Sequence, residues 1–156
     1  MKIKLIVIGR TDETYLKDGI TKYLERLKHY VNFEFIILND IKLGKKANII
    51  LQKEMEGKLI LEKVNLNDFL VLLDENGEQF TSMNFSNYIQ KRMNAGNDLI
   101  FVVGGPFGFS EEIYSRANAK ISLSKMTFSH QMVRLFFVEQ IYRAFTILKG
   151  EKYHHH

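Results

Sequence analysis

Apolar positions along the chain follow two patterns. Short unbroken apolar runs occupy Lys2 to Gly9, Phe33 to Leu38, the stretch "DFLVLLDENG", Leu99 to Val103 and Lys120 to Leu123. Runs of this kind, without strict alternation, predict strands covered on both faces. The third is expected to end in an acidic turn at Asp74 to Gly77. Between the runs lie segments with helical spacing. Asp12 to His29 places Tyr15, Leu16, Ile20, Tyr23, Leu24 and Leu27 on one face, with Thr11 or Asp12 in position to cap it. Lys45 to Leu61 reads as a charged, mostly solvated helix. Ser82 to Asn94 reads as another, with Asn84-Phe85-Ser86 suited to a cap, and Ser110-Glu111-Glu112 opens a short one. Ser124 to Ser129 is a loop, Gln131 to Lys149 a long final helix, and "GEKYHHH" a tail. Strands alternating with helices predict one α/β domain over 1–156, with a mostly parallel sheet and helices on both faces.

The final helix changes that picture. Val133, Leu135, Phe136, Phe137, Val138, Ile141, Tyr142, Phe145 and Leu148 take apolar character around nearly its whole circumference. A helix apolar all round must be buried all round. In a domain of this size the sheet covers one side, and a second copy of the chain is the simplest cover for the other, with Phe137 chosen as an outward residue. Within this apolar wall stand His130, Arg134, Glu139 and Arg143. Glu139 and Arg143 have the spacing of an ion pair. His130 and Arg134 share a face near the helix start. A buried arginine calls for an ion pair or an anionic ligand, and both stay open here.

Composition narrows the chemistry. Of 156 residues, 46% are hydrophobic and 26% charged, ordinary values for a globular chain. No cysteine is present, which excludes disulfides, thiolate metal sites and cysteine nucleophiles. No metal-ligating constellation is visible. No apolar run approaches the roughly 20 residues of a membrane span, and "MKIKLIVIGR" reads as a first strand and not a signal peptide. The expectation is a cytoplasmic protein. A formal charge of +4 and a pI near 9.2 suit an RNA partner, and equally a basic protein with none.

Ligands of open α/β sheets bind beyond the carboxyl ends of the strands. Three such ends are unusual: Leu73-Asp74, Gly104 to Gly108, and Ser124 to Phe128. "FVVGGPFGFS" holds three glycines and the chain's single proline within five residues. Neither a dinucleotide fingerprint nor a phosphate-binding P-loop matches the chain. The glycines would let the backbone approach a flat ligand closely, or would serve a tight strand-to-helix turn. "SLSKMTFSHQM" adds backbone donors and acceptors beside Met126 and Phe128, which would serve a ligand's faces or plain core.

"VVGGPFG", followed by "SLSKMTFSHQMVRLFFVEQIYRAFTILKGEKYH", together with "MKIKLIVIGR" and "LLDENG", resembles the ribosomal RNA large subunit methyltransferase H family, of the SPOUT class of α/β-knot methyltransferases. The similarity runs over nearly the whole chain. It implies a deep C-terminal trefoil knot, a homodimer, and S-adenosyl-L-methionine as methyl donor. It also implies N3 methylation of a pseudouridine in 23S rRNA, in the stem-loop facing the decoding site of the assembled ribosome. By position it assigns cofactor contacts to Leu73, Gly104, Leu123, Ser124, Lys125, Met126, Thr127 and Phe128. His130, Arg134, Tyr142 and Arg143 match recurrent positions of the last helix, and Tyr153-His154 the family's terminal pair. Ser129 stands where the family typically has proline, so a looser entry to the helix is expected. His155 and His156 are not interpretable.

The donor methyl of a sulfonium is already activated, so alignment and removal of the N3 proton remain. His154 is the first candidate base, beside Tyr153, and His130 the second; Arg134 is the candidate for stabilising charge on the uracil oxygens. Lys125, Lys149 and Lys152 are candidate phosphate contacts or simply solvated. Two other readings stay open: a knot methyltransferase acting on another RNA such as tRNA, and a catalytically silent RNA-binding or ribosome-assembly factor.

Overall fold

The protein was analysed as a computed structural model describing residues 1–42 and 48–155. Its elements follow in chain order as β1 (Lys2–Ile8), α1 (Thr14–Leu27), β2 (Asn32–Leu38), α2 (Ile49–Leu61), β3 (Phe69–Gln79), α3 (Ser82–Ala95), β4 (Leu99–Val103), α4 (Glu111–Arg116), β5 (Ala119–Ser122) and α5 (Met132–Leu148). The five strands form one sheet in the order β2-β1-β4-β3-β5, every pairing parallel. The unbroken apolar runs thus have the predicted cause. Leu5, Val71 and Phe101 face one core and Ile6, Leu72 and Val102 the other. Helices α1, α3 and α5 cover the first face, and α2 and α4 the second.

Several boundaries differ from the sequence expectation, each for a local reason. Neither Thr11 nor Asp12 caps α1; its N-cap is Glu13, which makes no side-chain cap bond. The backbone N–H of Asp12 instead donates to Gln131 Oε1, at 3.0 Å, so this loop is tied to α5. Thr81, just outside the expected Asn84-Phe85-Ser86, caps α3 by accepting from the Asn84 N–H. The acidic segment Asp74 to Gly77 does not end β3. The strand runs on to Gln79, and its register against β5 shifts between Leu73 and Glu78, an irregularity that turns the chain at the sheet's carboxyl edge. Helix α2 begins at Ile49 behind an Asn48 cap, and the expected helical residues 45–47 lie outside the described residues.

The final helix is less exposed than an all-round apolar surface requires. Helices α1 and α3 flank α5, and Phe137 points inward, its ring 4.6 Å from Phe101 and 6.1 Å from Phe85 between centroids. At 1% exposure Phe137 is not an outward residue; its neighbour Phe136, at 40%, is. After β5, at one edge of the sheet, the chain crosses back over the ends of β3 and β4 and docks at the end of β1 before entering α5. No helix among the described residues is long and apolar enough to cross a membrane.

Candidate active site

The carboxyl ends of β3, β4 and β5 surround a pocket of about 650 Å³, within the usual size of small-molecule sites. Leu73 and Val103 form its floor, the Gly104–Phe109 turn one wall, and Leu123, Ser124 and Met126 to His130 the other. Seven of the eight residues assigned to the cofactor by resemblance therefore meet in one place: Leu73, Gly104, Leu123, Ser124, Met126, Thr127 and Phe128. Lys125 belongs to the same loop but is not part of the lining. Met126 is 77% and Phe128 38% exposed, so neither is core.

Local chemistry shapes both walls. In the first, the turn closes by Gly108 N–H donating to Gly105 O at 3.1 Å, and Gly108 takes the left-handed φ of 84° that glycine tolerates. Gly104 has no such φ. Its requirement is space, since a β-carbon there would meet the Phe109 ring at 3.1 Å. In the second, Ser122 Oγ donates to Ser124 O, and the Met126 N–H donates to Ser124 Oγ. The hydroxyls hold an otherwise irregular loop while leaving its apolar side chains outward.

The third wall is acidic. Asp74 accepts from Tyr114 Oη at 2.6 Å and from the Asn76 N–H at 2.8 Å, and Glu75 accepts from Thr127 Oγ1 at 3.4 Å. Burial and the Asp74 bond push the Tyr114 phenol up to about 12, so it remains a donor at neutral pH. Among the described residues no cluster able to hold a metal ion is present.

The four candidate catalytic residues separate into three environments. His130 lines the pocket at the start of α5. Arg134 lies one turn on, 1% exposed, and is not part of the lining. It donates to Ile8 O, Gly9 O, Thr11 Oγ1 and His130 O, at 2.7 to 3.2 Å. Carbonyls at the end of β1 and a threonine satisfy it where it is buried, with no ion pair to it among the described residues, and the guanidinium fastens α5 to that strand. Gln131 adds to the same fastening by donating to Arg10 O. Ser129, in place of proline, does not loosen the entry: its Oγ accepts from the Gln131 N–H and its carbonyl from the Val133 N–H.

Tyr153 and His154 lie elsewhere. Gly150, with φ 68°, ends α5; its N–H donates to Ile147 O and that of Glu151 to Thr146 O, the paired bonds of a Schellman cap. The reversal lays the tail back along α5 and α1. Tyr153 Oη donates to Glu139 Oε1 at 2.9 Å and lies 3.2 Å from Tyr23 Oη. Burial, with these two bonds, holds its phenol well above the usual range. Arg143 pairs with Glu139, as their spacing predicts, and approaches His154 Nδ1 at 3.1 Å. A guanidinium can only donate, so Nδ1 accepts and a neutral ring carries its proton on Nε2. Arg143 follows Val133, the pocket-lining residue of α5, by ten residues, about 15 Å of helix. The tail pair lines neither this pocket nor an adjoining cavity of about 350 Å³, which shares Leu73, Leu123 and Phe128 with it and touches the tail network through Glu139.

Glu56 is the residue that sequence reasoning missed. It is 3% exposed on the inner face of α2, under Gly105. The signal was available: Glu56 falls four residues before Ile60 and four after Gln52, on the helix stripe that faces the sheet.

Comparisons with known proteins bear on the family and the fold. The family model described as "Predicted SPOUT methyltransferase" matches residues 1–154. A protein of Christiangramia forsetii named "Ribosomal RNA large subunit methyltransferase H" is 64% identical over 156 residues, covering 99% of each chain. Proteins with the same name from Flavobacterium johnsoniae and Bacteroides thetaiotaomicron are 56% and 50% identical, again over 99% of each chain. Among solved structures, a tRNA (m1G37) methyltransferase from Aquifex aeolicus superposes with a TM-score of 0.59 at 12% identity, covering 100% of this chain and 76% of that one; it shows the fold alone. With the resemblance extending from the first strand to the terminal Tyr-His pair, this chain belongs to the SPOUT methyltransferase family.

Proposed function

We propose that this chain is an S-adenosyl-L-methionine-dependent methyltransferase of 23S rRNA that acts as a homodimer, its acceptor being N3 of a pseudouridine in the stem-loop facing the decoding site. The observation that carries this is the convergence of the Gly104 turn and the Leu123–Phe128 loop on one strand-end pocket, in a chain whose full-length relatives bear the name of an rRNA methyltransferase. The return of the chain from β5 to the end of β1 supports the trefoil knot that the resemblance implies.

The pocket fits the donor. Gly104 and Gly105 bring bare backbone to one wall, and Leu73, Leu123, Met126 and Phe128 offer apolar surface to a purine and a thioether chain. S-adenosyl-L-methionine, when bound, supplies an activated methyl group. The remaining work belongs to the protein. The two walls orient the ligand and exclude water from it. His130, at the pocket rim, is in position to take the N3 proton or to steer the acceptor base. Arg134 acts on this site indirectly, by holding the His130 carbonyl and the β1 end at a set distance.

The tail pair meets the pocket only across a dimer. Met132 and Phe136 leave apolar surface on the outer face of α5, beside Phe128, whose ring lies 5.3 Å from that of Phe136. A second α5 laid on this surface brings a partner subunit's His154 toward the pocket. Complementation tests this. His154→Ala should lower methyl transfer to ribosomes by about 10² to 10⁴-fold. Gly104→Val should abolish donor binding, because its branched side chain meets the Phe109 ring. Mixed dimers of the two inactive chains, refolded together, should recover about a quarter of wild-type activity, since half the dimers are mixed and each carries one intact site. No recovery would overturn the shared site, and mass spectrometry showing no methyl on 23S rRNA would overturn the substrate.

A further inference from the structure

We propose that Glu56 is a positioning residue for the pocket: its carboxyl group, enclosed beneath Gly105, sets how far the Gly104–Gly108 turn stands from the ligand. The inference rests on the reading that this pocket holds the methyl donor. Helix α2 runs against the strands, so its first turns lie at the strand ends where the pocket opens. Glu56 is 3% exposed there. Gln52 Nε2 holds one side of the carboxyl group, donating to Glu56 Oε2 at 3.0 Å and to Ile41 O at 3.0 Å. The other oxygen, Oε1, is buried without a hydrogen-bond partner among the described residues.

Both oxygens lie under the turn. A β-carbon at Gly105 would lie 2.7 Å from Oε1 and 2.8 Å from Oε2, so any other residue there must push the carboxyl group aside. An unpartnered buried polar atom destabilises the fold. The same place on the α2 stripe would accept a leucine without that cost. A leucine, however, would leave the Gln52 amide without one of its acceptors, whereas the carboxyl group is held by that bond directly beneath Gly105. Burial raises the Glu56 pKa and Asp40, from the segment after β2, raises it further; His130, before α5, and the Gln52 bond act the other way. Asp40 and His130 are the charged or titratable groups facing it among the described residues; α4 contributes only the Ser110 hydroxyl near Gly57. Since His130 lines the pocket, Glu56 reaches the ligand through Gly105 and His130 and does not itself line the pocket.

The test compares Glu56→Gln, Glu56→Ala and Gly105→Ala with wild type, using calorimetry with S-adenosyl-L-methionine and its demethylated product, and steady-state methyl transfer to ribosomes. Glu56→Gln keeps size and polarity and should bind within about twofold of wild type. Glu56→Ala removes the support and should weaken donor binding about tenfold, with the loss in donor KM and little change in kcat. Gly105→Ala should weaken binding at least as much, and much less so once Glu56 is also alanine, because the obstructing carboxyl group is gone. Wild-type affinity in a folded Glu56→Ala chain, or in Gly105→Ala, would overturn the inference alone. Loss of affinity in Glu56→Gln equal to that in Glu56→Ala would also overturn it. If Glu56→Ala does not fold, the Gly105→Ala and Glu56→Gln affinities decide. A wild-type chain that binds neither ligand would overturn the pocket reading and this inference with it.

Discussion

The two ends of α5 carry polar side chains in opposite ways. At the first end, Arg134 and Gln131 bond mainly to backbone: they donate to the carbonyls of Ile8, Gly9, Arg10 and His130, Gln131 accepts from the Asp12 N–H, and Thr11 Oγ1 is the one side-chain acceptor among these bonds. At the second end, Glu139, Arg143, Tyr153, His154 and Tyr23 bond to one another through side chains. Bonds to backbone fasten a segment in place and commit most of its donors to architecture. A side-chain network that is only partly buried can exchange its bonds for those of an incoming molecule. The comparison teaches that burial of a charged residue on this helix marks architecture, while half-burial among other side chains marks the candidate chemistry.

The middle of the helix offers the sharpest way to break that comparison. Phe137→Asp places a carboxylate between Phe101 and Phe85, and should give unfolded or insoluble chain. Phe136→Asp, on the outer face, should leave a folded chain with a wild-type circular dichroism spectrum and half the dimer mass in light scattering. A soluble Phe136→Asp dimer would remove the outer face of α5 from the interface.

The ends come next. Arg134→Ala strips four acceptors of their donor and should cost about 3 kcal/mol or more in urea unfolding. Removal of 153–156 should cost about 1 kcal/mol and leave donor affinity near wild type, because the tail does not line the pocket of its own chain. Equal losses at both ends would erase the distinction between a fastening and an exchangeable network.

The smallest effect is a pH dependence on the pocket side. The native Glu56 carboxyl is raised above its ordinary value of 4.5, so the folded chain holds this proton more firmly than the unfolded chain. Its contribution to stability is full below 4.5 and is lost as pH rises through the raised native value. Glu56→Gln has no proton to lose there. Its melting temperature relative to wild type should therefore climb from mildly acid to mildly alkaline buffer, and a constant difference would show that the carboxyl titrates normally.

Periodicity and short-range chemistry were enough for the alternating elements, the two-faced sheet, the Glu139–Arg143 pair and the Gly150 helix end, because each depends on residues a few positions apart. The long glycine-rich and Ser124–Phe128 stretches also marked the walls of the pocket before any fold was known. What separated residues do to each other was decided only by tertiary structure. Spacing could say that Arg134 needed a reason to be buried, but not that the reason was carbonyls more than a hundred positions earlier. It could place Tyr153 and His154 together, but not find them bonded to Glu139 and Arg143 and outside the pocket lining, since the direction of a tail depends on what it packs against. Nor could it choose between Phe136 and Phe137, which differ by one step around a helix whose neighbours α1 and α3 set the inward side. Local sequence sets which conformations a segment prefers; the faces, partners and distances of its side chains follow from how the whole sheet and its helices close around them.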